Sequence, residues 1–240
     1  MKTRESGMPE EERWNSFFDP DFILMALGLD SNSQRVVDVG CGYGTFSIPA
    51  ARRVAGTVFA IDIDPQMLEA CKTKIEAAGL QNVVCQQRDF VADGTGLPEQ
   101  SADFVMLFNI LHAEDPLDLL KEAHRILTPS GKVAVMHWNY DPTTPRGPSM
   151  EIRPRPEQCQ AWVQAVGFQL IRPLIQLPPY HYGIVGQKPA QFRTDGEVLG
   201  GLGAAVPHHH FHRRRHVRRG LGRLESDDRC AGREDSACRG

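Results

Sequence analysis

Closely spaced glycines follow a short apolar run near the start of the sequence. The run Val36-Val37 leads into Asp38, and three glycines follow at alternate positions, Gly40, Gly42 and Gly44. Because glycine has no Cβ, such a turn lets the backbone lie directly against a ligand. A second apolar run ends at Asp62, 22 residues after Gly40, where a carboxylate can accept hydrogen bonds from ribose hydroxyls. The pattern predicts a nucleotide-cofactor site, with a plain tight turn as the alternative.

The spacing of these glycines separates two classes of cofactor. The dinucleotide fingerprint has the order G-x-G-x-x-G and binds a pyrophosphate. Here the residue three positions after Gly42 is Thr45, so the order is D-x-G-x-G-x-G. This order resembles motif I of the class I S-adenosylmethionine-dependent methyltransferases. Their cofactor has a ribose, an adenine, a sulfonium and an amino-acid tail but no phosphate, so its site needs carboxylates such as Asp38 and Asp62.

Apolar strands alternate with helices after the glycine loop. Four further strands are predicted, at residues 57–61, 83–86, 103–108 and 132–138. Helices are predicted to start at Pro65, after the capping residue Asp64, and at Pro116. The strand 103–108 is wholly apolar in its middle, as a sheet covered on both faces requires. This alternation predicts an α/β fold with a doubly wound parallel sheet.

The resemblance to the methyltransferase family, and to its ubiquinone-methyltransferase-like branch in particular, extends over residues 35–186. It implies a mostly parallel, seven-stranded Rossmann-like sheet that ends in an antiparallel hairpin. Residues 167–171 and 182–186 fit the two hairpin strands, and a helix over about 156–166 precedes them. Residues 123–131 resemble the family's R-x-L-x-P-G-G turn, with Ser130 where glycine is usual.

The resemblance also implies roles for single residues. Asp62 would hold the ribose of S-adenosyl-L-methionine, Asp89 would bind the adenine amino group, and Phe90 and Ile63 would enclose the adenine ring. The full set of cofactor-binding residues expected from the resemblance is Asp38, Gly40, Cys41, Gly42, Asp62, Ile63, Met67, Asp89, Phe90 and Asn109.

Methyl transfer from a sulfonium is an in-line displacement, so the protein mainly has to align the acceptor and exclude water. A base is needed only if the acceptor is a hydroxyl or an acidic carbon. Candidate catalytic residues at predicted strand ends are His112, His137 and Asp141, with His181 and Tyr182 in the hairpin. The alternative for the histidines is structural, as a helix cap or a satisfied strand-end side chain. Arg146 is either an anion-binding residue or a solvated loop arginine.

Two segments could cover the strand ends. Residues 1–34 are predicted to form a helical N-terminal arm or lid, rich in aromatic residues such as Trp14, Phe17 and Phe18. Packing of the same side chains on the outer face of the sheet is the alternative, favoured for Leu24. The proline-rich loop 139–155 is unusually long for a compact domain, and such loops often carry function.

Composition predicts one methyltransferase domain, residues 35–189, in a chain of 240 residues. No apolar run approaches the roughly 20 residues needed to span a bilayer. The acidic start lacks the apolar stretch of a secretory signal, so we expect a cytoplasmic protein. The six cysteines contain no C-x-x-C pair, which favours reduced thiols and no metal centre. The sequence does not predict an oligomeric state.

The composition changes abruptly near the C-terminus, so residues 190–240 are expected to form a disordered tail rich in His and Arg. From residue 207 onward there are nine arginines, no lysine and five acidic residues, a net charge of +4 that leaves residues 1–206 at −7. Metal capture, nucleic-acid binding, and a shifted reading frame or recently acquired end are the alternatives, and the abrupt change favours the last of these. The acidic remainder argues against nucleic acid as a partner.

The sequence therefore favours an S-adenosylmethionine-dependent methyltransferase whose partner is a small-molecule methyl acceptor, quinone-like, phenolic or another metabolite. The alternative is a non-catalytic cofactor-binding sensor or partner module on the same fold.

Overall fold

The computed structural model describes residues 8–190. Its strands are β1 (Arg35–Val39), β2 (Thr57–Asp62), β3 (Val83–Gln87), β4 (Ala102–Phe108), β5 (Leu127–Trp138), β6 (Gln169–Leu177) and β7 (His181–Gln187). Its helices are α1 (Glu11–Asn15), α2 (Pro20–Ala26), α3 (Ser47–Arg53), α4 (Pro65–Ala77), α5 (Pro116–Ile126) and α6 (Pro156–Ala165).

The described strands form one seven-stranded sheet in the order β3-β2-β1-β4-β5-β7-β6. Strands β1 to β5 pair in parallel, and β7 is antiparallel to both β5 and β6. This arrangement confirms the predicted fold class, including the C-terminal hairpin. The strand order reverses between β1 and β4, and in open α/β sheets ligands bind at such a reversal, beyond the carboxyl ends of the strands.

Alternate residues of the central strands enter different hydrophobic clusters, as side chains on opposite faces of a sheet do. On β1, Val37 belongs to a cluster that also contains apolar side chains of α5 and α6, whereas Val36 packs with α2 and α3. Ile23 and Leu24 of α2 are fully buried in the second cluster. Burial of each such side chain contributes about 1.5–3 kcal/mol. Helix α2 therefore packs on the sheet, in agreement with the alternative favoured for Leu24.

Helix α4 begins and ends where the sequence predicts. The Asp64 side chain accepts a hydrogen bond from the Gln66 N–H at 2.8 Å, and Pro65 occupies the first turn. Gly79 follows the last turn with φ +65°, a left-handed conformation that glycine adopts without a Cβ clash. The helix therefore starts three residues after Asp62, which places its first turn close to the predicted cofactor loop.

Two strands are longer than predicted. Strand β5 begins at Leu127, directly after α5, and the predicted turn before Lys132 is a register shift within the strand. Ser130 lies in this irregular stretch with φ +66°. Strand β6 continues to Leu177 although it contains Pro173, because β6 is an edge strand and its pairing with β7 is interrupted around that proline.

Except for residue 190, the predicted His- and Arg-rich tail, 190–240, lies outside the described residues. So do the first seven residues of the predicted N-terminal arm. Within residues 8–190, no helix combines the length and the apolar character required to cross a bilayer.

Candidate active site

The glycine loop after β1 leaves no room for side chains. Gly40 and Gly42 have φ values of +77° and +52°, in the left-handed region that favours glycine. A Cβ on Gly40 would lie 3.1 Å from Cγ2 of Ile110, and one on Gly42 would lie 2.7 Å from the sulfur of Met8. Side chains of the chain itself therefore pack closely against this loop, and its direct contact with a cofactor stays a prediction.

Asp62 closes the loop from the end of β2. Its Oδ2 accepts a hydrogen bond from the Gly42 N–H at 2.8 Å, and its Oδ1 accepts one from the Asp64 N–H at 3.0 Å. Burial raises the pKa of Asp62, and these backbone donors partly oppose the rise. A carboxylate has about four lone-pair sites, so Asp62 can still accept hydrogen bonds from the hydroxyls of a ligand.

Asp38 is also buried but has a different environment. Its Oδ2 accepts a hydrogen bond from the hydroxyl of Ser47, the first residue of α3, at 2.6 Å. Burial raises the pKa of Asp38 to about 7, against the opposing effect of the Ser47 hydrogen bond. Asp38 therefore links β1 to the start of α3, and direct contact with a cofactor stays a prediction.

The other residues expected around the adenine lie after β2 and β3. Asp89 Oδ1 accepts hydrogen bonds from the N–H groups of Val91 and Ala92, which orders the turn after β3. The ring of Phe90 reaches to 3.6 Å from the position of a Cβ on Gly40. Ile63 and Met67 are half-buried, and Cys41 is a buried free thiol in the glycine loop. The adenine roles of Asp89, Phe90 and Ile63, and cofactor binding by Met67 and Cys41, stay predictions.

Asn109 follows β4 with φ +58°, an uncommon conformation for a residue with a side chain. Its backbone N–H donates to the Met136 carbonyl at 2.7 Å, which holds the residue in place. Both polar atoms of its side-chain amide are buried, and neither has a hydrogen-bond partner within residues 8–190. Because leaving a buried polar group unpaired costs about 1–3 kcal/mol, this amide is suited to a ligand.

The structure brings together two of the three predicted catalytic residues. Nε2 of His137 lies 3.4 Å from Nδ1 of His112. His137 is fully buried, and burial, followed by the proximity of His112 and His181, lowers its pKa well below the usual value. Asp141 is exposed instead, and its Oδ1 accepts hydrogen bonds from the N–H and hydroxyl of Thr143. The two histidines can therefore act as a pair, whereas Asp141 orders its own turn.

Arg153 organises the long loop, a role that sequence reasoning missed. Its buried guanidinium donates to backbone carbonyls and one hydroxyl of the loop, those of Asn139, Asp141, Thr144, Arg146 and Pro148. Burial lowers the pKa of Arg153. No sequence signal distinguishes this arginine from its neighbours, because its partners are mostly carbonyl groups that every residue has.

Six aromatic side chains form what we call the aromatic wall, beyond the carboxyl end of β5. They come from the N-terminal arm, from β5 and from the start of β7: Trp14, Phe17, Phe18, Trp138, Tyr180 and His181. The ring centroid of His181 lies 4.7 Å from that of Phe18 and 4.2 Å from that of Trp138. The arm therefore contacts the strand ends as well as the outer face of the sheet.

The same arm also contacts the glycine loop. The Tyr43 hydroxyl donates to the Pro9 carbonyl at 3.1 Å, and the Thr45 hydroxyl donates to the side-chain oxygen of Asn15 at 3.0 Å. Glu11 forms an ion pair with Lys74 of α4. These contacts start at residues 8 and 9, upstream of the aromatic residues on which the sequence prediction rests. Residues 9–11, Pro-Glu-Glu, contain no motif that predicts contacts with the glycine loop or with α4.

Comparisons with known proteins agree with this geometry. A family model described as a methyltransferase domain matches residues 36–131. Aklanonic acid methyltransferase DauC of Streptomyces sp. strain C5 is 35% identical over 114 residues, covering 46% of this chain and 51% of that protein. Ubiquinone biosynthesis O-methyltransferase of Actinobacillus pleuropneumoniae serotype 5b is 32% identical over 128 residues, covering 49% of this chain and 54% of that protein. The chain thus spans about half the length of these curated relatives.

A solved structure extends the likeness over the whole domain. The crystal structure of a SAM-dependent methyltransferase from Aquifex aeolicus matches with a TM-score of 0.66 and 25% sequence identity. The match covers 74% of this chain and 93% of that one. Strand order, glycine loop, family model and structural neighbour agree, and the cofactor of this family is S-adenosylmethionine. Residues 36–131 therefore match a methyltransferase domain, and the described residues have the fold of an S-adenosylmethionine-dependent methyltransferase.

Proposed function

We propose that this protein transfers a methyl group from S-adenosylmethionine to a small-molecule acceptor by in-line displacement. One observation carries the proposal. At the edge where β1, β2 and β4 end, the left-handed glycine loop and the carboxylate of Asp62 lie at the same strand ends as the Asn109 amide, which is buried and has no partner within residues 8–190. In this proposal residues 35–189 form the catalytic domain.

The residues at this edge fit the cofactor. Asp62 would accept hydrogen bonds from the ribose hydroxyls, and Asn109 would satisfy its amide against the polar amino-acid end. Gly40 and Gly42, in left-handed conformations that other residues adopt only with strain, would let the loop backbone turn beside the cofactor. When bound, S-adenosylmethionine supplies an electrophilic methyl group on a sulfonium.

The chain then has to position the acceptor and manage its proton. We assign the base to Nε2 of His112, whose Nδ1–H donates to Nε2 of His137 in the required tautomer. Burial keeps His137 neutral, so it can accept this hydrogen bond while His112 becomes positively charged. His137 is therefore a positioning residue, and His112 is the catalytic residue. The aromatic wall excludes water from the same strand ends.

Two considerations support a small molecule as the acceptor. The relatives DauC and the ubiquinone-biosynthesis enzyme carry names of small-molecule methylation. The ring of His137 lies near those of His112 and Tyr182, and the Arg153 guanidinium donates to loop carbonyls and Thr144. The net charge of −7 over residues 1–206 disfavours a polyanionic acceptor.

Titration calorimetry with S-adenosylmethionine and with NAD tests the cofactor assignment. We expect binding of S-adenosylmethionine and little binding of NAD. The Asp62→Ala variant should bind S-adenosylmethionine about tenfold more weakly, equivalent to about 1.4 kcal/mol, because hydrogen bonds to a charged acceptor are lost. Asp118→Ala is the matched control, since Asp118 is an exposed carboxylate paired with Lys121. Its affinity should equal that of the wild type.

Asp62 also holds the glycine loop, so a second variant is needed if Asp62→Ala unfolds. Asn109→Ala removes the unpartnered amide without removing a hydrogen bond within the described part of the chain. It should fold and still lose affinity for S-adenosylmethionine. Unchanged affinity in both variants, or NAD binding in place of S-adenosylmethionine, would contradict the proposal. An assay for S-adenosylhomocysteine release from a metabolite extract separates catalysis from cofactor binding alone.

A further inference from the structure

Met8, in the N-terminal arm, covers the middle glycine of the glycine loop. A Cβ on Gly42 would lie 2.7 Å from the Met8 sulfur and 3.0 Å from its terminal methyl carbon. The thioether therefore packs on the side of Gly42 that has no side chain. The two side chains closest to Gly40, Ile110 and Phe90, belong to the segments that follow β4 and β3. Met8 differs from them because it precedes the first strand and is not held by the sheet.

The contacts that hold residues 8–15, which we call the strap, are polar and partly exposed. Helix α1, which forms most of the strap, has no buried residue. Glu11 forms its ion pair with Lys74, and these side chains are 37% and 31% exposed. Tyr43 and Thr45 of the glycine loop each donate one hydrogen bond to the strap. Exposed ion pairs and single hydrogen bonds contribute little to stability. The strap can therefore leave the glycine loop without disturbing the sheet.

The apolar anchor of the arm lies after the strap. Phe17 is 6% exposed, and its ring centroid lies 5.3 Å from that of Trp138. Ser16, between the strap and this anchor, is exposed. Within the strap, Trp14 is half-buried, and its ring centroid lies 4.9 Å from that of Phe18. A movement of the strap about Ser16 would thus keep Phe17 in place and change the surroundings of Trp14.

We propose that the strap is autoinhibitory: in the ligand-free protein the Met8 thioether occupies the glycine loop, and S-adenosylmethionine has to displace it in order to bind. The inference rests on the proposed function, because it takes the glycine loop as part of the cofactor site. The cofactor contains the same chain of carbons and sulfur as a methionine side chain, so Met8 covers Gly42 with a group of related shape. The apparent affinity for the cofactor is then reduced by the fraction of molecules in which the strap is closed.

Titration calorimetry of the full-length protein with S-adenosylmethionine tests the competition. Met8→Ala removes the thioether and leaves the backbone of the strap unchanged. It should bind S-adenosylmethionine at least threefold more tightly than the wild type, because a larger fraction of the molecules is open. Met25→Ala is the matched control, since Met25 is the same residue type on α2 and is 56% exposed. Its affinity should equal that of the wild type.

Glu11→Gln weakens the strap at a second point, away from the glycine loop. It removes the ion pair with Lys74 and with it one attachment of the closed strap. It also removes a negative charge that attracts the positively charged sulfonium. Glu12→Gln controls for this second effect, because Glu12 is the exposed neighbouring residue with the same charge. Glu11→Gln should bind S-adenosylmethionine about twofold or more tightly than Glu12→Gln does.

The fluorescence of Trp14 reports the position of the strap independently of affinity. Displacement of the strap exposes the half-buried Trp14 ring to water, so S-adenosylmethionine should shift the emission of the wild type to longer wavelength. Trp14→Phe should lose this shift, which separates it from any signal of Trp138 and Trp162. Ligand-free Met8→Ala should already emit at a longer wavelength than the ligand-free wild type.

Unchanged affinity in Met8→Ala, or equal affinities in Glu11→Gln and Glu12→Gln, would overturn the inference. So would weaker binding by Met8→Ala, which would show that the strap closes over the bound cofactor and adds to its affinity. An emission of the wild type that does not respond to bound S-adenosylmethionine would also overturn it. The proposed function fails in a different way: neither the wild type nor Met8→Ala would bind S-adenosylmethionine, and the autoinhibitory role would fail with it.

Discussion

Among single side chains, the unpaired polar atoms concentrate at one place. Within residues 8–190, the buried side-chain nitrogens and oxygens without partners belong to Asn109, His137 and His181. All three residues lie at one edge of the sheet, where β4 and β5 end and the antiparallel strand β7 begins. Folded proteins pair most of their buried polar groups, so this concentration indicates where ligands are expected to complete the interior.

The titration of His181 makes folding sensitive to acid. An exposed histidine has a pKa near 6.5, whereas burial lowers that of His181 to about 3. Below about pH 6.5 the unfolded chain therefore binds a proton that the folded chain does not, and stability falls as the pH falls towards 3. In His181→Phe the slope of unfolding free energy against pH should be smaller by up to about 1.4 kcal/mol per pH unit between pH 4 and 5.5. Urea unfolding across this range measures the slope, and parallel curves would contradict the prediction.

Residue types in a motif predicted the local geometry of the glycine loop and the place of Asp62 at the end of β2, but single contacts did not follow from them. Cofactor binding by these residues stays a prediction. Gly40, Gly42 and Asp62 could be predicted because their spacing is tied to a loop that backbone geometry restricts. The close approach of Met8 to Gly42 and the loop contacts of Arg153 could not be predicted. They depend on tertiary distances between segments whose local sequence has no period or motif.

At the scale of elements, the junction between α5 and β5 departs from the family turn at Ser130. Ser130 has φ +66°. Its backbone N–H donates a hydrogen bond to the Lys188 carbonyl, and its carbonyl accepts one from the side-chain amide of Gln187. A left-handed conformation costs a residue with a side chain about 1–2 kcal/mol. The hairpin strand β7 therefore holds Ser130 in a conformation that glycine would adopt more easily.

Ser130→Gly should raise the free energy of unfolding by about 0.5–1 kcal/mol. The relief of the left-handed conformation exceeds the added entropy of glycine in the unfolded chain, about 0.5–1 kcal/mol. Both backbone hydrogen bonds are retained. Ser149→Gly is the control, since Ser149 is exposed and has no positive φ, and it should be neutral or destabilising. A loss of stability in Ser130→Gly, measured by urea unfolding, would contradict this account.

Strand and helix periods predicted the elements between β1 and α6 closely, because buried parallel strands need apolar runs and α4 has its own capping signals. The full length of β6 could not be predicted in the same way. Its residues are mostly exposed and include Pro173, so pairing with β7 rather than local preference defines the strand. The position of the arm was equally unpredictable, because aromatic side chains can pack on either the sheet face or the strand ends.

At the scale of the whole molecule, cofactor binding and folding are linked. A ligand that binds only the folded state stabilises it by about 2.7 kcal/mol at 100 times its dissociation constant. S-adenosylmethionine at that concentration should raise the free energy of unfolding of the wild type by this amount. For Asp62→Ala, with tenfold weaker binding, the same concentration should give about 1.4 kcal/mol. NAD at equal concentration is the control, and equal stabilisation by both ligands would contradict the cofactor assignment.

The N-terminal arm touches both halves of the candidate site. Its residues 8–15 contact the glycine loop and α4, and Phe17 and Phe18 lie against Trp138 and His181. In the proposed function, this one short segment would contact both the cofactor and the methyl acceptor. A substitution there that widens the range of acceptors would also change how fast the spent cofactor leaves, so selection for a new substrate would act on turnover at the same time.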